Sequence, residues 1–336
     1  MTKVIRLAHG SGGEASRALI DEIVVTYLRN ETLERLDDSA VLPTGGGDRL
    51  ALTTDSYVIN PIFFPGGDIG SLAVHGTVND LAMVGASPQA LTLSLILEEG
   101  LPIDDLRRIL ASVREASDEA GVTVAAGDTK VVERGSADRI FINTSGIGVV
   151  PAGVDISSAN ARPGDAVLLS GSIGDHGIAV VSRREGIAFE TEIVSDSAPL
   201  NHMVAAMLTV TPSIHAMRDP TRGGLATSLN EIARRSDVGI IIDEDAVPVN
   251  PGVQQACEML GFDPFYVANE GKLVAFVPEA DAEGVLGAIR SARYGAGATT
   301  IGRVTDADPG MVILNTRVGG RRILTPLSGE LLPRIC

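Results

Sequence analysis

Aromatic side chains are almost missing from this 336-residue chain: it has no tryptophan, and Phe and Tyr together make up 3% of it. A core of any size must then be assembled from Val, Ile, Leu and Ala, the residues of closely spaced strands covered by helices. Cysteine is nearly as scarce. Cys257 and Cys336 are the two present, too few for a disulfide framework. No apolar run approaches the roughly 20 residues needed to cross a bilayer. The start, Met1-Thr2-Lys3-Val4-Ile5-Arg6, has no hydrophobic leader segment, so a soluble, cytoplasmic protein with no membrane partner is expected. Positive charge is short as well: 27 Lys and Arg against 43 Asp and Glu leave a formal net charge of −16. A surface that acidic repels a phosphate backbone and argues against nucleic acid as a partner. A nucleotide is another matter, because Mg²⁺ held by carboxylates reverses the local sign.

The common phosphate loops are absent too. There is no Gly-x-x-x-x-Gly-Lys-Ser/Thr run, and no Gly-x-Gly-x-x-Gly follows a strand. What is there is Gly10-Ser11-Gly12-Gly13-Glu14 just before the first helical pattern. Glycines let backbone N–H groups approach an anion, and a helix N-terminus adds favourable partial charge. By itself the run also reads as a plain turn.

Helical and strand periods interleave along the chain, which is the pattern of an α/β or α+β layer structure. Ser16 to Leu28 places Leu19, Ile20, Ile23, Val24 and Tyr27 on one helical stripe. Leu50 to Thr54 reads as a short strand closing in Asp55, and Gly70 to Val84 as a small-residue helix carrying His75, Asn79 and Asp80. Gln89 to Leu97 is a strand. Ile103 to Ala120 is an amphipathic helix with Ile103, Leu106, Leu110 and Val113 inward, and strands follow at Val122 to Ala126 and Arg139 to Val150. Composition shifts to Gly, Ser, Asn and Pro between Pro151 and Asp165, the best candidate for a domain boundary. A second alternating run begins at Ala166. After Leu324 the pattern fades into a Pro- and Gly-containing end, expected to be extended and mobile. The chain therefore divides into residues 1–151, 162–324 and a tail, 325–336.

Acidic residues recur at the predicted element ends: Asp37-Asp38-Ser39-Ala40, Thr53-Thr54-Asp55, Asn79-Asp80 and Gly127-Asp128-Thr129-Lys130. Oxygen ligands, several charges and a nearby Gly-rich loop are what Mg²⁺-phosphate binding needs, with Asp38, Asp55, Asp80 and Asp128 as the metal set. Lys130 is placed to neutralise a phosphate. Each acid taken singly also reads as a cap or turn residue. In the second half, Arg218-Asp219-Pro220-Thr221-Arg222-Gly223-Gly224 joins an acid, a glycine pair and a helix start. Asn269-Glu270-Gly271-Lys272 sits in a turn, either as a simple loop or as the seat of a general base. Cys257, in an apolar-patterned helix, reads as a buried small hydrophobe. Cys336 is the last residue, and an exposed thiol is a liability unless used.

In this order, the glycine run, Asp37-Asp38-Ser39-Ala40, Thr53-Thr54-Asp55, Asn79-Asp80-Leu81-Ala82-Met83, Gly127-Asp128-Thr129-Lys130 and Asp219-Pro220-Thr221-Arg222-Gly223-Gly224 resemble the aminoimidazole ribonucleotide synthetase (PurM-like) superfamily across roughly Leu7 to Leu314. The resemblance implies a two-domain α/β (α+β) architecture and a homodimer formed through N-terminal sheets. It also implies ATP bound near that interface, with Gly10, Ser11, Gly12, Gly13, Asp38, Asp55, Asp80, Asp128, Thr129, Asp219 and Gly223 in the nucleotide site. Pro333-Arg334-Ile335-Cys336, with Asn269-Glu270-Gly271-Lys272 and Val74-His75-Gly76-Thr77-Val78-Asn79-Asp80, is similar to the hydrogenase-maturation branch.

That branch implies a reaction carried on the terminal cysteine. A carbamoyltransferase (HypF) loads Cys336, and ATP with Mg²⁺ drives loss of water to give a thiocyanate. The cyanide then passes to an iron scaffold (HypC–HypD) for NiFe hydrogenase. Glu270 is the first choice for base and Lys130 the second polar participant; His75 is a helper, although a lone helical histidine also reads as structural. Three alternatives remain at this point. A selenophosphate synthetase usually carries Cys or selenocysteine in its N-terminal glycine loop, whereas no cysteine here precedes Cys257. A purine-pathway synthetase or thiamin-phosphate kinase has no reason to end in one. A non-catalytic thiol carrier would need no acidic series.

Overall fold

The computed structural model describes residues 4–187, 189, 192–329, 331–332 and 334–336. Glu330 and Pro333 of the predicted tail lie outside the described residues. The glycine run leads into a helical stretch, α1 (Glu14–Leu19), which passes through a π-helical turn (Ile20–Val25) into α2 (Thr26–Leu28). The stripe predicted here is helical but not buried: Ile20, Ile23, Val24 and Tyr27 are all exposed. Helical spacing identifies a common face, and no element among the described residues covers it.

The first sheet holds β1 (Ala40–Pro43), β2 (Arg49–Tyr57), β5 (Ser87–Glu98), β6 (Thr123–Val132) and β7 (Ile140–Val150) in the order β1-β2-β7-β5-β6. Only β5 and β6 run parallel; the other neighbours are antiparallel. A two-stranded ribbon, β3 (Phe63–Phe64) with β4 (Gly67–Asp68), leads into the central helix α3 (Ile69–Met83). Asp68 caps α3, accepting from the N–H groups of Gly70 and Ser71, while Ser71 returns the bond to Asp68 N.

Burial surrounds α3 on nearly every side, and its small residues make this possible. A Cβ on Gly70 would lie 2.5 Å from Ile109 O of α4 (Ile103–Ala120), and one on Gly76 would lie 2.2 Å from the Tyr57 hydroxyl of β2. Helix α4 spans the predicted residues, but its buried face is Ile109, Val113, Ala116 and Ala120. Ile103 and Leu110, expected inward, are exposed, because α3 meets only a narrow stripe of α4. Among the described residues no helix packs on the opposite side of the sheet, and Leu52, Ile96 and Ile147 stand open.

The second sheet has the order β14-β13-β10-β12-β8-β11-β9, built from β8 (Asp165–Leu169), β9 (Ala216–Arg218), β10 (Gly239–Asp243), β11 (Val274–Pro278), β12 (Thr299–Thr305), β13 (Val312–Asn315) and β14 (Arg321–Ile323). Its helices are α5 (Asp175–Glu185), α6 (Asn201–Val210), α7 (Gly224–Arg235), α8 (Pro251–Leu260) and α9 (Glu279–Ser291). Periodicity missed α9, and the short strands β9 and β14 were too brief to show an alternation. One hydrophobic core joins the halves: Leu81, Met83 and Val84 from α3 and its end pack with Leu200, Met203 and Met207 and with Leu168 and Ala275. Among the described residues, no helix is long and apolar enough to cross a membrane.

Gly76→Ala sets two effects against each other. Alanine gains about 1 kcal/mol of helix propensity, whereas overpacking against Tyr57 costs about 1–3 kcal/mol. Contact at 2.2 Å with a buried ring makes the clash win. Urea unfolding is expected to show net destabilisation that Tyr57→Phe partly relieves; an unchanged midpoint in Gly76→Ala would refute the tight α3–β2 contact.

Candidate active site

A cleft of about 570 Å³ lies where the two halves meet, lined by residues of both and by the end of the chain. Strand β2 supplies Thr53, Asp55 and Tyr57, which alternate onto the face toward α3. Asp55 is mid-strand, not at the strand end predicted from sequence. Ahead of β1, Asp37 accepts bonds from Ser157 Oγ and from Ser158 N and Oγ. That anchorage leaves the next residue, Asp38, to line the cleft, where Arg218 Nη1 meets it at 2.9 Å. From α3 comes Asp80, which accepts from Thr53 Oγ1 at 2.8 Å.

The second half contributes a turn and a loop. Strand β9 ends in Arg218, and Asp219-Pro220-Thr221-Arg222 then turns through Gly223 and Gly224 into α7. Both glycines have positive φ, +80° and +62°, and a Cβ on Gly223 would meet Thr227 Oγ1 at 2.3 Å. Asn269 Nδ2 donates to Pro220 O at 2.9 Å, tying the Glu270 loop to that turn. Across the halves, Asn79 Nδ2 donates to Glu270 O and to Ala198 O. Glu270 is thereby fixed by its backbone, while its Oε1 has no hydrogen-bond partner among the described residues.

The chain end closes the site. Val58 N donates to Cys336 O at 3.0 Å and Asn60 N to Arg334 O at 3.3 Å. Ile335 is buried, and Cys336 lines the cleft with Glu270, Asp55, Asp219 and Arg222. The described residues Arg334, Ile335 and Cys336 of the segment expected to be mobile are docked here. The glycine run holds it further back: Ser11 Oγ donates to Gly329 O and Glu14 N to Leu327 O, and a Cβ on Gly13 would stand 2.2 Å from Leu327 O. Of that run, Gly12 lines the cleft; Gly10, Ser11 and Gly13 do not.

Burial and crowding of like charge govern the acids. Desolvation pushes Asp38, Asp80 and Glu270 well above the carboxylate range, with Asp219 adding repulsion to each. Asp219 itself rises to about 6, through burial opposed by Arg218. Burial raises the Cys336 thiol to about 12 even though Arg222 pulls the other way. Carboxylate oxygens of Asp38, Asp80 and Asp219 lie within 4.8 Å of one another, a spacing that suits one divalent cation.

Other predicted residues are placed elsewhere. Asp128 and Lys130 fall within β6, not after a strand. The β5–β6 register sets them beside Ser94 and Ile96, on the open face of the first sheet. They pair with each other at 2.6 Å, 63% and 68% exposed. Thr129, next to them, donates its N–H to Asp128 Oδ1. The alternation of the strand, unread from sequence, carries the charged pair away from this chain's cleft. His75 is buried in α3 with Nδ1 3.0 Å from Ser197 Oγ; desolvation lowers it to about 4, and it does not line the cleft. Cys257 is buried as expected. Sequence reading missed Arg218, Arg222 and Tyr57 as cleft residues; the two arginines flanking Asp219 were the available signal.

Comparison with known proteins agrees with this arrangement. Residues 36–150 match the AIR synthase related protein N-terminal domain, and residues 162–315 match its C-terminal domain. Over 332 residues the chain is 54% identical to the carbamoyl dehydratase HypE of Cupriavidus necator, covering 99% of this chain and 95% of that one. The chain belongs to the HypE branch of the AIR synthase related family. A crystal structure of a HypE–HypF complex superposes with a TM-score of 0.88 at 50% identity, covering 92% of this chain and all (100%) of that one. A HypE in complex with ATP gives 0.84 at 49% identity, covering 99% and 100%. HypE membership sets aside the selenophosphate and purine-pathway alternatives within the superfamily.

The acids impose a pH dependence. Asp219 moves from 3.8 to about 6 on folding, so the folded protein holds a proton that the unfolded chain gives up. Stability from this group is full below pH 3.8 and is lost as pH rises through about 6. Asp219→Asn is therefore expected to gain unfolding free energy relative to the parent as pH rises across that window, read by urea melts without divalent ions. A difference that is constant with pH would refute the buried, shifted carboxyl.

Proposed function

We propose that this protein removes water from a carbamoyl group carried on its own Cys336, with ATP as co-substrate, leaving a thiocyanate on the sulfur. The observation that carries the reading is the seating of Cys336 in one cleft with Glu270 and the Asp38, Asp80 and Asp219 cluster. Such an end product supplies cyanide for the iron of NiFe hydrogenase, which fits the family's place in hydrogenase maturation.

The chemistry follows from the groups present. The oxygen of a thiocarbamate amide is a poor leaving group until the γ-phosphoryl group of ATP is transferred to it, which releases ADP and one N–H proton; elimination of phosphate with the second N–H proton then leaves a C≡N bond. Glu270 is placed to take a proton. Its raised affinity for one, from burial and from Asp219, brings it nearer in strength to the acid it must deprotonate. Arg222 beside Cys336 offers positive charge where the phosphoryl group is transferred. Asp38, Asp80 and Asp219, with Asp55 beside them, would hold Mg²⁺, which supplies charge neutralisation for the phosphates.

Desolvation raises the seated Cys336 thiol, which is only partly exposed, and so disfavours the nucleophilic thiolate where it lies. We infer that HypF loads Cys336 with the tail undocked, and that the tail then returns to the cleft, a second encounter made efficient by tethering. The open face at Leu52, Ile96 and Ile147 supports a homodimer through the first sheets. In that dimer Asp128 and Lys130, on the same face, serve the partner's nucleotide instead of their own chain's. Delivery to a HypC–HypD scaffold and a cytoplasmic location complete the reading.

Mass spectrometry of the carbamoylated C-terminal peptide is expected to show loss of one water, about 18 Da, only with Mg²⁺-ATP, as amide-oxygen phosphorylation and elimination require. Glu270→Gln is expected to slow that loss by about 10²–10⁴-fold, the usual worth of a general base. A thiocarbamate unchanged by ATP would overturn the enzyme reading and leave a thiol carrier.

A further inference from the structure

Hydrogen bonds at both ends of one short stretch of chain, residues 195–197, connect the chain end to Glu270. The connection starts at His176, wholly buried near the start of α5. His176 Nε2 lies 2.8 Å from Ile335 O. A carbonyl only accepts, so Nε2 carries the proton and Nδ1 is the acceptor, facing Ser195 Oγ at 2.8 Å. The ring is held from the side by Phe64, edge to face at 5.4 Å between centroids.

Ser195 belongs to the irregular stretch ahead of α6, whose next residue, Asp196, meets the backbone of Glu270. Ser195 Oγ accepts from Ser197 N at 3.1 Å. Asp196 Oδ1 accepts from Glu270 N at 3.2 Å, and Asp196 Oδ2 faces Lys272 Nζ at 3.1 Å. Gly271 has no side chain because a Cβ there would stand 1.8 Å from Asp196 O. Residues 195–197 thus lie against the backbone of Glu270 on one side and against His176 on the other.

The carbonyls of the chain end divide their partners accordingly. Those of Arg334 and Cys336 are taken by the backbone of residues 58–60, as in an added strand, whereas the carbonyl between them turns the other way. His176 is the group that meets it. Removing that donor leaves a buried carbonyl unpaired, a larger loss than the bond alone is worth.

We propose that His176 is the positioning residue that seats the cysteine-bearing chain end, and that the Ser195–Ser197 loop joined to it sets Glu270 in the same arrangement. Docking the arm and orienting the base are then one event. This rests on the roles given above to Cys336 and Glu270.

The test uses the full-length protein, the parent against His176→Phe, His176→Gln and Ser195→Ala. Without ATP, iodoacetamide labelling of Cys336 is followed by peptide mass spectrometry, with buried Cys257 as the internal check on folding. With carbamoylated protein, single-turnover water loss is followed against ATP concentration. His176→Phe is expected to label about tenfold faster at Cys336 and to turn over about tenfold more slowly, the effect of an unpaired buried carbonyl. Half-saturating ATP and the labelling of Cys257 stay as in the parent. His176→Gln, whose amide N–H can still donate to Ile335 O, recovers most of both losses. Ser195→Ala moves both readouts in the same direction by a smaller factor.

Cys336 labelling of His176→Phe within twofold of the parent overturns the proposal, as does a defect confined to half-saturating ATP. Faster labelling of Cys257 as well marks general unfolding, and Ser195→Ala and His176→Gln then decide the outcome. Parent-like labelling at Cys336 in Ser195→Ala overturns the proposal, as does a His176→Gln that labels Cys336 as fast as His176→Phe while Cys257 stays protected. A parent that never loses water but protects Cys336 in a His176-dependent manner overturns the functional reading and leaves the seat standing.

Discussion

Three successive carbonyls at the end of this chain each find a donor in the fold. Arg334 and Cys336 are met by the backbone of residues 58–60 and Ile335 by His176, with Arg184 adding a 2.7 Å bond to Arg334 O. Everything proposed about the cleft depends on this seat, since without it the terminal sulfur has no defined relation to Glu270 or to the acids. Its energetics are modest by construction. Each such bond is worth about 0.5–1.5 kcal/mol net, and burying the Ile335 side chain adds about 1.5–3 kcal/mol. Fixing each backbone residue costs about 1–2 kcal/mol. The balance is a few kcal/mol at most, strong enough to hold the arm and weak enough to release it to a partner.

The cleft that receives the arm is out of electrostatic balance. Asp38, Asp80, Asp219 and Glu270 are forced together against the guanidiniums of Arg218 and Arg222. Burial keeps these acids, and the thiol of Cys336, toward their neutral forms. In the proposed reading, a cation with its nucleotide would supply the missing positive charge, with these acids as its ligands. The same desolvation that penalises these charges strengthens the electrostatic interactions made within the cleft. Stability is given up here for function, as expected where buried charge is not fully paired.

Much of this was legible in the sequence. Interleaved periods predicted the two α/β layers, and the ordered motifs pointed to the family. Asp38, Asp55, Asp80, Asp219, Glu270 and Cys336, named from sequence, lie in one cleft. What failed to show depended on facts that spacing does not carry. Strand alternation placed Asp128 and Lys130 on the open face of β6. The stripe at Ile20, Ile23, Val24 and Tyr27 was helical, yet a one-chain reading could not tell whether anything covers it. Gly10, Ser11 and Gly13 looked like an anion loop, and in the structure the run grips the tail through Ser11 and Glu14. His176 and Asp196 carried no motif; they matter through contacts more than a hundred residues apart in the chain in one case, and across a loop in the other.

The seat is tested most directly by amide hydrogen exchange at Val58 and Asn60, the two N–H groups bonded to the chain end. Full-length protein and a chain ending at Leu332 would be compared without nucleotide. A seated end predicts slowed exchange at both amides in the full-length protein and loss of that protection on truncation, while amides inside β2 stay unchanged. Equal exchange at Val58 and Asn60 in the two proteins would contradict the account.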